Sequence, residues 1–72
     1  MRQRAVMIQT TLVKIMKGRR RLRHNDLIND TIKSINSFKA DPLLIKQQIE
    51  WLIEGDYLMR DEKDIHTYIY KP

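Results

Sequence analysis

An α+β fold is predicted: three helices packed on a small antiparallel sheet that ends in a C-terminal hairpin. Three observations predict it. Apolar residues recur at helical spacing in three separate stretches. Glycine and proline number only two each, so elements run long with few breaks. The last sixteen residues then switch to tyrosine, isoleucine and threonine around one polar turn.

The first helix is expected over residues 3–17. Ala5, Ile8, Leu12 and Ile15 form one apolar stripe, and Gly18 is expected just past the helix end, where a left-handed conformation costs glycine little. The basic run Arg19–Arg23 follows, with Leu22 pointing inward from a short extended segment. A second helix is expected over about 25–36. Asn25 or Asp26 would cap it, and Leu27, Ile28, Thr31, Ile32 and Ile35 would form its buried face. Phe38 should plug the core from the connection. A third helix is expected over about 42–54, with Asp41 as its cap and Pro42 at the first helical position. Ile45, Ile49, Leu52 and Ile53 would face inward, and Gly55 would end it. Tyr57–Asp61 and His66–Tyr70 read as strands around a polar turn. Helix, short strand, helix, helix, strand, turn, strand is the order of a winged helix.

Seventy-two residues make one small domain, spanning 1–72. Such a core frames no deep cleft, which argues against an enzyme. With 42% hydrophobic and 32% charged residues the balance is globular rather than disordered. The absence of cysteine excludes disulfides and thiolate metal sites. No apolar run approaches a membrane span, and no signal-peptide pattern opens the chain.

Charge is strongly segregated. Residues 1–23 carry eight cations (Arg2, Arg4, Lys14, Lys17, Arg19, Arg20, Arg21 and Arg23) and no acid, a head of +8 on a body of −3. Such a head should attract an acidic partner, nucleic acid or protein. Winged helices commonly read DNA with the third helix. Here that helix carries Glu50 and Glu54 against Lys46, and the wing carries Asp61, Glu62 and Asp64 against Lys63. Both would meet phosphate with net negative charge. Protein binding fits better. A DNA-binding domain using the basic first helix and loop is the alternative, and weak or no nucleic-acid binding is expected. His24 with Asp26, and Asp61 and Asp64 with His66, lack metal-ligand spacing, so no metal or cofactor is expected. Trp51 falls off the inner face of its helix and is a candidate partner anchor.

The segment Leu12-Val13-Lys14-Ile15-Met16-Lys17-Gly18-Arg19-Arg20 closely resembles the I-V-R-I-M-K-x-R-K signature of cullins, scaffolds of multi-subunit ubiquitin ligases. Leu22-Arg23-His24-Asn25-Asp26-Leu27-Ile28 resembles that family's L-x-H-x-x-L-[LIV] segment. Residues 45–61 resemble I-K-x-x-I-[DE]-x-L-I-x-x-x-Y-[LM]-x-R-D, and Thr67-Tyr68-Ile69-Tyr70 the closing T-Y-x-Y. Lys14 stands where arginine is usual, Arg20 where lysine is usual, and Lys71-Pro72 where a small apolar pair is common.

The resemblance implies a C-terminal piece of a longer, non-catalytic scaffold found in cytoplasm and nucleus. It implies that Lys17 accepts an isopeptide bond to a ubiquitin-like modifier (neddylation), with Lys14 a secondary acceptor. Implied partners are the modifier, its conjugating enzyme, the ring-finger protein of the ligase and the rest of the cullin chain. The residues agree with this. Lys17 lies roughly 150° from the centre of the apolar stripe, so its amine should face solvent. Lys14, Arg19, Arg20, Arg21 and Arg23 form a basic collar suited to acidic protein faces, arginine especially to carboxylates.

Overall fold

The computed structural model describes residues 2–72. The elements are α1 (Arg2–Arg19), β1 (Arg21–Arg23), α2 (His24–Ser34), α3 (Pro42–Glu54), β2 (Leu58–Arg60) and β3 (Thr67–Tyr70). This is the expected winged-helix order, and both hairpin strands are shorter than their sequence reading. Among the described residues no helix is long and apolar enough to cross a membrane.

α1 departs from expectation in its face and its end. The fully buried positions are Ile8, Leu12 and Met16, an i, i+4, i+8 row, while Ile15 is only half-buried. The helix also runs through Gly18, which has no positive φ. Arg20 takes the left-handed turn instead, at φ 72, with its N–H on the Met16 carbonyl at 2.7 Å. That conformation costs a non-glycine residue about 1–3 kcal/mol. Two contacts hold it in place. The Tyr70 N–H donates to the Arg20 carbonyl at 2.8 Å, and the guanidinium lies 5.6 Å from the Tyr70 ring centre.

α2 follows β1 without a loop. Arg23 is its N-cap, so neither Asn25 nor Asp26 caps it, and no side chain bonds the cap. The start is held instead by the wing turn: the His24 N–H donates to the His66 carbonyl at 2.7 Å. Leu27, Ile28 and Thr31 are buried along it, but Ile32, expected inside, is exposed. Thr31 is tolerated in the core because its hydroxyl donates to the Leu27 carbonyl at 2.7 Å. α3 matches its reading. Pro42 sits in the first turn, the Asp41 carboxylate accepts from the Leu43 N–H at 3.0 Å, and Ile45, Ile49 and Leu52 are buried. Ile53 lies partly buried against the core, as do Leu22 and Phe38.

β3 is the central strand in the order β1-β3-β2, antiparallel to both neighbours. Leu22 pairs with Tyr68 on one side and Arg60 with Tyr68 on the other. Tyr68 and Leu58 point into the core, which the sheet closes below the helices. Each fully buried leucine or isoleucine contributes about 1.5–3 kcal/mol, so a domain this small depends on all of them. The wing turn is self-capped. Asp61 accepts from the Lys63 N–H and Asp64 from the His66 N–H, each at 3.0 Å, and the Thr67 hydroxyl donates to Asp64 at 2.8 Å.

Candidate functional site: an exposed lysine at the end of the first helix

α1 delivers Lys14, Lys17 and Arg19 to its last two turns. Lys17 and Arg19 lie where cations suit the negative helix pole. Burial of Met16 fixes the rotation of this end: with its side chain in the core, the next residue must swing outward. Lys17 is exposed, as is Lys14 one turn earlier. Among the described residues neither amine makes a hydrogen bond or ion pair. Gly18 follows, and a Cβ there would meet nothing within 4 Å. The backbone beside Lys17 is therefore open.

The arginines of the collar differ from the lysines. Arg19 reaches Asp30 of α2 at 3.7 Å, a loose and largely solvated pair. Arg20 lies over Tyr70. Arg21 is bonded to Asp61, which ties β1 to the wing turn. That carboxyl is held below the usual range, first by the Lys63 N–H and then by Arg21. Arg23, at the start of α2, is exposed, and its charge helps hold the Asp64 carboxyl low, after the Thr67 and His66 hydrogen bonds. Three of the collar's guanidiniums, those of Arg19, Arg20 and Arg21, already have partners within the domain.

Two features, one on this surface and one at the far end of α3, are not legible in the sequence. Lys33 of α2 comes to face Lys14 and Arg19 across a groove floored by Ile15 and Gly18. Only the packing angle of α2 on α1 places it there. Trp51 is half-exposed, and the Tyr57 ring stacks on it. On the other face Arg60 is bonded to Glu50 and lies over Tyr68. Asp61 and Asp64 are occupied as turn caps. Among the described residues, no three histidine or acidic groups gather as a metal site.

Fold and site define a class: a winged-helix domain that presents an exposed lysine, unpartnered among the described residues, at the end of its first helix, on a basic surface. The chain belongs to the cullin family, since the family model described as the cullin protein neddylation domain matches residues 3–64. It is 41% identical over 68 residues to Cullin-3 of Caenorhabditis elegans, covering 93% of this chain and 9% of that protein. It is 45% identical over 64 residues to Cullin-3B of Arabidopsis thaliana, covering 88% of this chain and 9% of that one. The chain thus spans about a tenth of the length of these relatives. A solved structure described as a dual E3 mechanism for Rub1 ligation to Cdc53, Dcn1(P)-Cdc53(WHB), superposes with a TM-score of 0.88 at 33% identity, covering 94% of this chain and 79% of that one. The winged-helix reading and the cullin resemblance both hold. Nothing in these comparisons favours DNA binding.

Proposed function

We propose that this domain is the modification module of a ubiquitin-ligase scaffold and that Lys17 is its acceptor. The neutral Nζ attacks the thioester joining a ubiquitin-like modifier to its conjugating enzyme. A C–N bond forms at the modifier's terminal glycine, the C–S bond breaks, and the cysteine leaves as thiolate. The amine's proton passes to a base on the conjugating machinery or to water. The domain supplies reach and exposure; the acyl-transfer chemistry belongs to its partners, so the module itself is non-catalytic. The observation that carries this reading is an exposed, unpartnered Lys17 on a helix end locked by Met16, in a chain that matches the neddylation domain.

Lys14 is the secondary acceptor. The basic surface of Lys14, Lys17 and Arg23, with the looser Arg19, would hold acidic faces of the modifier or its enzymes. The ring-finger protein and the rest of the scaffold chain would complete the assembly, in cytoplasm and nucleus. Attachment would shift the scaffold toward an open arrangement by favouring one of two states. The test is reconstituted modification of the full-length parent with its ring-finger partner, followed by peptide mapping. Lys17→Arg should abolish the main product and Lys14→Arg should leave it. Undiminished modification of Lys17→Arg would overturn the assignment.

A further inference from the structure

The far end of α3 carries a surface that the Lys17 reading does not use. Trp51 and Tyr57 stack in the open, with ring centres 6.2 Å apart and planes within 10°. Each is 51% exposed. The local chain is shaped to hold them together. Gly55 has φ −78, which any residue adopts, so rotation does not explain the glycine. Space does: a Cβ there would sit 2.9 Å from Cε2 of Tyr57. Asp56 then turns the chain at φ 69, and the Tyr57 N–H returns to the Leu52 carbonyl at 2.9 Å. The Lys71 N–H closes on the Tyr57 carbonyl at 3.1 Å, and the Lys71 amine donates to Asp56 at 2.7 Å.

The electrostatics of this end are unbalanced. α3 has no base in its last turn, where a cation would suit the negative pole. It has Glu54 there instead, one turn from Trp51, exposed and, among the described residues, without an ion pair. Aromatic faces are themselves negative at their centres. Helix pole, carboxylate and ring faces all favour the same kind of guest.

We infer that the Trp51–Tyr57 pair, with Glu54, is a docking site for an arginine side chain on a partner protein. A guanidinium can stack flat on the indole and direct its N–H fork at Glu54, which an ammonium does less well. Nucleic acid is the poorer guest, since its phosphates would meet Glu54. The site is independent of Lys17 and stands or falls separately.

Trp51 is the one tryptophan of the chain, so its emission reports this site alone. The probe is a blocked glycine pentapeptide with a central arginine, compared with central glutamine, titrated against the folded domain with two-dimensional NMR in parallel. The arginine peptide should change Trp51 emission saturably and shift the Trp51 and Tyr57 resonances. Glu54→Gln should weaken it by up to about five-fold, the range of an exposed ion pair. Gly55→Ala should weaken it similarly by displacing the Tyr57 ring; if that variant loses its circular-dichroism signal, Tyr57→Leu takes its place. The proposal is overturned by an equal response to the glutamine peptide, by no saturable response, or by indifference to Glu54→Gln. It is also overturned if a short oligothymidine competes for the site.

Discussion

α1 and α3 each approach their C-terminus with one glycine, and the two ends use it differently. In both, the left-handed residue comes after the glycine: Arg20 follows Gly18 by two, and Asp56 follows Gly55 by one. At Gly55 a Cβ would crowd the Tyr57 ring in its stacked position, so a side chain there displaces the ring. Gly18 is needed for neither room nor rotation. A glycine inside a helix costs about 0.5–1 kcal/mol relative to alanine, and nothing in the fold offsets that at Gly18. The two ends also differ in charge. Lys17 and Arg19 complement the pole of α1, whereas Glu54 opposes that of α3. One end is electrostatically settled and sterically bare; the other is sterically filled and electrostatically unsettled. Helix ends that look alike in sequence can thus present opposite chemistry.

The largest effect expected from breaking this comparison lies at the anchor of α1. Met16→Ala should cost about 2–5 kcal/mol, as large-to-small changes in a packed core do. Lys17→Ala, one residue on, should stay within about 0.5 kcal/mol. Urea unfolding followed by circular dichroism measures both. If the two substitutions cost alike, Met16 does not set the rotation that turns Lys17 outward.

The glycines should then answer with opposite signs. Gly18→Ala should stabilise the domain by about 0.5–1 kcal/mol, with φ already helical and open space for the methyl group. Gly55→Ala should destabilise it by about 0.5–1.5 kcal/mol, the worth of an aromatic pair, as Tyr57 moves off Trp51. Stabilities from chemical denaturation decide both. Comparing modification rates of the parent with and without Gly18→Ala sharpens the point: a slower rate in a more stable domain would show that the bare backbone serves access to Lys17.

Much of this was legible in the sequence, for local reasons. Asp41-Pro42 marks the start of α3 because cap and first-turn chemistry are contained in two adjacent residues. The apolar spacing of Ile45, Ile49 and Leu52 admits one buried face. α1 was harder. Ile15 and Met16 both continue a stripe through Ile8 and Leu12, since the helical repeat falls between three and four residues. Only the packing of α2 and α3 chooses Met16. The start of α2 was misread because its His24 N–H is satisfied by the His66 carbonyl, more than forty residues away, and no cap in the sequence announces such a partner. Hydrophobicity alone puts Ile32 inside with Thr31, yet only Thr31 is buried, its hydroxyl satisfied by the Leu27 carbonyl. The acceptor lysine was legible from motif and helical phase together. The partners of the arginines beside it were not, because Asp30, Asp61 and Tyr70 come from α2, the wing turn and β3, brought together only by the fold.

The smallest effect is a pH dependence that separates the sheet junction from both helix ends. His24 accepts or donates at Nδ1 to the Tyr68 hydroxyl at 2.8 Å, where β1, α2 and β3 meet. Its pKa is lowered, first by burial, then by the charges of Lys46 of α3, His66 of the wing turn and Arg60 of β2. Glu50, bonded to Arg60, is the carboxylate facing the same cleft. The unfolded chain therefore takes up a proton at higher pH than the folded one. Stability rises with pH wherever the unfolded state holds more protons, so the contribution of His24 is fully present above its ordinary value near 6.5 and is lost as pH falls through the lowered folded value. Asp61 and Asp64, also lowered, lose their contributions only further down, below the usual carboxylate range. Thermal unfolding at closely spaced pH values should show two separate declines. His24→Gln should remove the upper one and leave the lower. If the upper decline survives that substitution, the junction is not the group that senses it.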